Sequence, residues 1–199
     1  VNKNRIIVFV KNAVLGKVKT RLANTIGGEE ALKVYLKLLD ITKREILDLK
    51  VEKEIWYAWE KESDDIWNDD QFNKRVQIEG DLGEKMSNAF KKSFEEELEK
   101  VVLIGSDCPT LKNQIIEEAF ESLDHSDVVI GPSKDGGYYL IGMSSFKPEI
   151  LQDISWSTED VLQQTEQKAE QHGINLTKLQ VLNDIDNEND WNEYLAGKD

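Results

Sequence analysis

The residues best suited to chemistry are a few carboxylates and cations that follow apolar runs. Val101–Pro109 reads VVLIGSDCP, an apolar run that ends abruptly in Gly105, Ser106, Asp107 and Cys108. Such a run fits a strand buried on both faces of a parallel sheet. A small-residue loop carrying one carboxylate at the C-terminal end of such a strand is where open α/β sheets bind ligands. The plainer reading is a solvated turn aspartate. A second such place is GPSKDGGYY at Gly131–Tyr139, where Asp135 precedes Gly136 and Gly137, and a third is NDID at Asn183–Asp186. Two carboxylates far apart in sequence and close in space can hold Mg²⁺ or Mn²⁺ through hard oxygen ligands, with phosphates completing the shell. Asp107 with Asp186 is the candidate metal pair. Asp184 shares a side with Asp186 if that segment is extended, so the choice between them stays open. Asp186 also reads as a structural turn residue.

The cations lie elsewhere. Residues 1–28 contain no Asp or Glu but do contain Lys3, Arg5, Lys11, Lys17, Lys19 and Arg21. In NAVLGKVKTRL (Asn12–Leu22), Gly16 permits a tight turn. If the segment is extended, alternation points Lys17, Lys19 and Arg21 to one side. Lysines act as flexible point charges for phosphates, and arginine as a bidentate fork. The segment therefore reads as a phosphate-holding loop, against the plainer reading of a solvated basic loop. It is not the GxxxxGK[ST] loop of ATPases, nor the GxGxxG turn of dinucleotide folds.

Charge and composition narrow the partners. The 199-residue chain carries a formal net charge of -14, which would repel a polyanionic nucleic acid. An acidic protein with one concentrated cationic segment suits a small anion better. Apolar content of 39% and charged content of 32% fit a soluble globular domain. No run approaches the roughly 18 apolar residues of a membrane helix, so no membrane insertion is expected. The chain enters an apolar strand without the regions of a signal peptide, and a cytoplasmic location is expected. Cys108 is the only cysteine, which excludes an intrachain disulfide and a cysteine-rich zinc site and fits a reducing compartment. As a nucleophile Cys108 lacks an identifiable activating base. His125 and His172 read as surface or capping residues at helix ends.

Several elements must position these groups. Arg5–Lys11, Glu54–Trp59, Arg75–Ile78, the run from Val101, Asp127–Gly131, Tyr138–Met143 and Lys178–Leu182 read as strands. Glu29–Leu49, the stripe Leu82, Met86, Phe90, Phe94 and Leu98, Leu111–Leu123, a helix to Gln171 capped near Ser157, and one from Asn187 through Leu195 read as helices. Asp64–Phe72 reads as a short helix or irregular segment, and Phe146–Leu151 as a short turn or helix. Trp56, Trp59 and Trp67 read as core or edge packing rather than a sugar platform. The alternation predicts one α/β domain, residues 1–199, with a mostly parallel sheet between helices and an antiparallel addition near Tyr138.

Six stretches carry a resemblance: KNAVLGKVKTRL at 11–22, EGDLGEKMSNAF at 79–90, GSDCPTL at 105–111, GPSKDGGYYLIG at 131–142, W-S-T at 156–158 and LNDIDNENDW at 182–191. They resemble the DUF2064 family, a nucleotide-diphospho-sugar transferase-like group of glycosyltransferase A-type fold related to small nucleotidyltransferases. The resemblance implies a three-layer, Rossmann-like mixed sheet and an enzyme. It implies phosphates held by Lys11, Gly16, Lys17, Lys19 and Arg21, a base near Gly80 and Gly83, and Asp107 as principal metal ligand. Asp135, Gly136, Gly137 and Trp156 would border the sugar or acceptor. The family loop often carries proline near position 12 or 13; here Asn12 and Ala13 alter its rigidity and not its charge. The leading expectation is a metal-dependent glycosyltransferase that moves a sugar from a nucleoside-diphosphate sugar to a small-molecule acceptor, with Asp135 orienting or deprotonating that acceptor. The alternatives are a nucleotidyltransferase using a nucleoside triphosphate and a phosphorylated small molecule, and a non-catalytic nucleotide-binding or scaffold protein.

Overall fold

The run RIIVFV forms the first strand, β1 (Asn4–Val10), and its centre is sealed on both faces: Ile6, Ile7 and Val8 are all 0% exposed. A computed structural model describes residues 3–197; the single-domain reading of 1–199 also takes in 1–2 and 198–199, which lie outside the described residues. After β1 come helices α1 (Thr20–Ile26) and α2 (Gly28–Leu47) and strands β2 (Glu52–Tyr57) and β3 (Asn73–Val76). Helix α3 (Leu82–Glu95), strand β4 (Lys100–Ile104) and helix α4 (Asn113–Ser122) follow. Strands β5 (Val128–Pro132) and β6 (Tyr138–Met143) then lead through a 3₁₀ turn at Pro148–Leu151 to α5 (Val161–Gln171), β7 (Leu176–Lys178) and α6 (Glu188–Ala196).

The seven strands form one sheet in the order β3-β2-β1-β4-β6-β5-β7. Among the described residues only β6 runs antiparallel, pairing β4 on one side and β5 on the other. Strand order reverses between β1 and β4, which pair directly in parallel. This is a switch point, and the crevice outside its carboxyl ends is the place such sheets offer a ligand.

Alternation along β1 divides the core into layers. Ile6, Val8 and Val10 face α2 and α4, together with Tyr35, Leu39 and Ile116. Ile7 faces α3, the 3₁₀ turn and α5 with Phe90, Ile150 and Ala169. A third cluster joins Leu22 of α1, Leu38 of α2 and the buried Ile185 in the turn before α6, with Trp191 and Tyr194 of α6 packed against it. The result is the expected mixed, mostly parallel sheet between two helical layers. Among the described residues, no helix is long and apolar enough to cross a membrane.

Four local expectations change. The segment after Gly16 does not stay extended, because Lys19 adopts φ 48° and the chain enters α1 at Thr20. Ser157 does not cap α5: it sits at φ 65°, and the helix starts after Asp160 without a side-chain cap. Strand β7 ends at Lys178, and Leu182 contributes only an isolated bridge to Ser133. Met86 and Phe90 are core, whereas Leu82 at the head of that stripe is 43% exposed. The cap at Asn187 forms as read, with Asp190 completing the reciprocal pair. Trp56 and Trp67 are buried in the core, and Trp59 is exposed.

Candidate functional site

The parallel strands deliver their C-terminal loops to one edge of the sheet, around a cavity of about 520 Å³. That volume lies in the range of small-molecule sites. The end of β1 supplies Lys11. Tyr35 of α2 grips that residue's backbone: the Lys11 N–H donates to the Tyr35 hydroxyl, which donates to the Lys11 carbonyl, both at 2.8 Å. Burial, with the Asp107 charge second, raises the Tyr35 phenol far above its ordinary value, so it stays protonated.

The loop after β4 supplies Asp107. Its carbonyl accepts the Ile185 N–H at 2.9 Å, which draws the Asp184–Asp186 turn alongside. The buried Ile185 side chain anchors that turn from below. Lys19 completes the junction. Its ammonium lies 2.9 Å from Asp107 Oδ1 and donates to the Ile185 carbonyl at 2.6 Å, with 5% of its side chain exposed. The Asp107 contact is an ion pair by distance without hydrogen-bond angles, so Oδ1 remains a buried oxygen lacking a hydrogen-bond partner.

Asp184 and Asp186 differ sharply. Asp184 Oδ1 is buried with no hydrogen-bond partner. Burial first, then the charges of Asp107 and Asp135, push the Asp184 carboxyl up to about 7, with Asp186 adding to the rise and Lys19 opposing it. Asp186 turns outward and meets Arg21 at 3.3 Å, the two side chains being 42% and 75% exposed. Nothing in the spacing of Asp184, Ile185 and Asp186 separates the two carboxylates.

The rest of the wall comes from the β5–β6 loop, which is bridged to Leu182 through Ser133, and from residues 156–159. Asp135 Oδ1 accepts the Ser133 hydroxyl at 2.5 Å and the Gly137 N–H at 3.0 Å. Trp156 stands edge-on to Tyr138 with ring centroids 6.3 Å apart. Its indole also packs over Gly83, where an added Cβ would lie 2.6 Å from the indole Nε1 and 2.5 Å from the Leu151 carbonyl oxygen.

Lys11, Lys19, Arg21, Asp107, Asp135, Gly137, Trp156, Asp184 and Asp186 thus line one cavity. Gly16 and Lys17 do not: Gly16 takes φ 76° in an exposed turn, and the change of direction at Lys19 leaves Lys17 on the outside. Gly80, Gly83 and Gly136 are not part of the lining. Gly80 turns the chain into α3 at φ 128°, and Gly136 at φ 87° packs against the Glu159 backbone. Tyr35 also lines the cavity although the helix pattern over Glu29–Leu49 gives no sign of it, and so do Ser157, Thr158 and Glu159, whose composition reads as a helix cap. Cys108 is buried and its thiol is pushed up to about 12, chiefly by desolvation, which suits packing and not nucleophilic chemistry.

The lining holds five carboxylates (Asp107, Asp135, Glu159, Asp184 and Asp186) and three cations (Lys11, Lys19 and Arg21). With Asp184 ionised, the surplus is two negative charges, which one divalent cation would cancel. Among the described residues, no group of three or more His, Cys, Asp or Glu side chains is assembled to hold a metal. Two carboxylates with buried, unpartnered oxygens nonetheless suit Mg²⁺, which takes one or two carboxylates plus substrate phosphates.

The chain is similar to several known proteins in sequence and in fold. The 2-phospho-L-lactate guanylyltransferase of Methanocaldococcus vulcanius is 28% identical over 145 residues, covering 70% of this chain and 61% of that protein. The enzyme of the same name from Methanocaldococcus jannaschii is 27% identical over 141 residues, covering 69% and 59%. The chain spans about three fifths of the length of these curated relatives. A solved structure from Desulfovibrio desulfuricans G20, provisionally named a nucleotide-diphospho-sugar transferase, is 32% identical with a TM-score of 0.89, covering 98% of this chain and 87% of that one. CMP:2-keto-3-deoxy-manno-octonic acid synthetase, solved with CTP, shares the fold at a TM-score of 0.59 and 11% identity, covering 99% and 98%. Residues 43–158, more than half of the sequence, match the family described as uncharacterized protein conserved in bacteria (DUF2064), and the chain belongs to that family.

Proposed function

We propose that this protein is a nucleotidyltransferase, using a nucleoside triphosphate and a phosphorylated small molecule and releasing pyrophosphate. The observation that carries the reading is the meeting of Asp107 and Asp184 beneath Lys11, Lys19 and Arg21 at the switch point of the sheet. The named activity of the curated relatives supports nucleotidyl transfer ahead of glycosyl transfer.

In this reaction an oxygen of the acceptor phosphate forms a bond to the α-phosphorus. The bond from that phosphorus to the α–β bridging oxygen breaks, and its electron pair leaves with pyrophosphate. The attacking oxygen is already anionic at neutral pH, so no general base is required. Asp135 then serves to orient the acceptor rather than to deprotonate it. Lys11 pairs with phosphate oxygens at the cavity wall, its peptide held in place by Tyr35. Arg21 exchanges Asp186 for phosphate at small cost, because an exposed pair of this kind is worth about 0–1 kcal/mol. Lys19 keeps the cationic loop and the Asp184 turn facing each other. Asp107 and Asp184 are the residues that would hold Mg²⁺ or Mn²⁺, and such an ion when bound would neutralise phosphate charge and favour departure of pyrophosphate.

The test is a coupled pyrophosphate assay with each common nucleoside triphosphate and a set of phosphate monoesters, with and without chelator. Asp107→Asn should lower turnover by about a hundredfold or more, with an unchanged circular dichroism spectrum. Undiminished turnover would sink the assignment of Asp107. The second reading, sugar transfer from a nucleoside-diphosphate sugar, is favoured by the provisional name of the Desulfovibrio protein. It predicts release of nucleoside diphosphate and no pyrophosphate.

A further inference from the structure

We propose that the acceptor is a hydroxylated phosphate ester without a carboxylate group, and that Asp135 and Glu159 enforce this preference by charge. The inference rests on the nucleotidyltransferase reading and goes beyond it to the acceptor's chemical class.

The cavity's cations are confined to one stretch, and three of its carboxylates lie with them: Asp107 and Asp186 as ion-pair partners, and Asp184 in the same turn as Asp186. All three lining cations come from the stretch between Lys11 and Arg21 on one side. The part of the lining from the β5–β6 loop and residues 156–159, which adjoins the Asp184 turn through the Ser133–Leu182 bridge, contributes no cation but does contribute Asp135, Glu159, Ser133, Ser157, Thr158 and Trp156. Lys134 belongs to the same loop but is exposed and is not part of the lining. Of the five carboxylates, Asp107 is paired with Lys19 and Asp186 with Arg21, whereas Asp135 and Glu159 have no ion-pair partner among the described residues.

This wall is built to keep its shape. An added Cβ on Gly136 would lie 2.1 Å from the Glu159 carbonyl oxygen, so the two loops touch backbone to backbone. The Gly136 carbonyl accepts the Leu162 N–H at 2.9 Å, which ties the loop to the start of α5. Asp135 spends Oδ1 on Ser133 and Gly137, while Oδ2 has no hydrogen-bond partner among the described residues. A fixed carboxylate accepts hydrogen bonds from hydroxyl groups, and an indole offers an apolar face to a carbon skeleton. A carboxylate on the acceptor would instead meet two like charges with no cation on that wall. Like-charge juxtaposition of this kind is how a binding surface rejects wrong partners.

The curated relatives are named for 2-phospho-L-lactate, whose skeleton carries a carboxylate. On this argument that compound is a poor acceptor here. The experiment compares glucose 1-phosphate and glycerol 3-phosphate with 2-phospho-L-lactate and 3-phosphoglycerate. Pyrophosphate release is measured with Mg²⁺ and each nucleoside triphosphate, and binding of the four esters by calorimetry. The carboxylate-free esters should lead in kcat/KM and in affinity by on the order of a hundredfold. Glu159→Lys, at an exposed position that leaves the fold undisturbed, should shrink or invert that ratio. Equal or better use of the carboxylated esters by the native protein would overturn the inference, as would an unchanged ratio in the variant. If no ester releases pyrophosphate yet binding keeps the predicted order, the nucleotidyltransferase reading falls and the charge argument stands. Absent selectivity in binding would remove the charge argument whatever the turnover.

Discussion

Replacing Asp184 with Asn should stabilise the protein while removing its turnover. Burial and the neighbouring carboxylates raise Asp184 from its ordinary 3.8 to about 7. A group whose folded value is raised binds more protons in the native state, so its contribution erodes stability as pH climbs from the unfolded value to the folded one. At about 1.4 kcal/mol per unit, the ceiling on that penalty is about 4 kcal/mol. Lys19 is already counted in the raised value, and the solvent contact that Asp184 keeps screens the remainder, which brings the expected figure to about 2 kcal/mol. Asn keeps the shape of the protonated acid and removes the charge. In urea titrations with chelator present, the variant should match the native protein near the unfolded Asp value and exceed it by about 2 kcal/mol at about pH 8. Its pyrophosphate release should fall by about a hundredfold or more. A variant less stable than the native protein at about pH 8 would refute the electrostatic reasoning, as would a gap that does not change with pH.

Three other perturbations probe the same edge of the sheet. Gly83→Ala forces a Cβ to within 2.6 Å of Trp156 Nε1, and should cost about 1–3 kcal/mol in chemical denaturation and reduce turnover by displacing the indole. Lys19→Met removes a buried ammonium from the partly exposed Asp107 and orphans the Ile185 carbonyl, and should cost about 1–3 kcal/mol and raise the KM for nucleotide. Cys108 should resist thiol reagents in the native protein at mildly alkaline pH and react at once in denaturant, since burial holds its thiol at about 12; rapid native labelling would contradict the packing.

The architecture was legible where one physical signal dominated. The apolar runs of β1 and β4 could only be strands enclosed on both faces, and the four-residue spacing of Met86 and Phe90 could only be a helical stripe. The carboxylate at the end of β4 followed from the geometry of parallel sheets. What escaped depended on three-dimensional context. Alternation placed Lys17, Lys19 and Arg21 on one side, and a single residue in the left-handed region undid it. The different burial of Asp184 and Asp186 arises from the Asp107–Ile185 backbone hydrogen bond, which links residues far apart in sequence. Ser157–Asp160 has the composition of a helix cap, yet Gly136 presses against its backbone and the segment becomes cavity wall instead.

The central claim is that the bond broken lies at the α-phosphorus of a nucleoside triphosphate. Phosphorus NMR of a reaction containing Mg²⁺, a nucleoside triphosphate and a carboxylate-free phosphate ester tests it most directly. The account predicts equal growth of a pyrophosphate signal and of a nucleoside diphosphate-linked product, abolished by Asp107→Asn. Formation of free nucleoside diphosphate from a nucleoside-diphosphate sugar, with no pyrophosphate from any triphosphate, would contradict it.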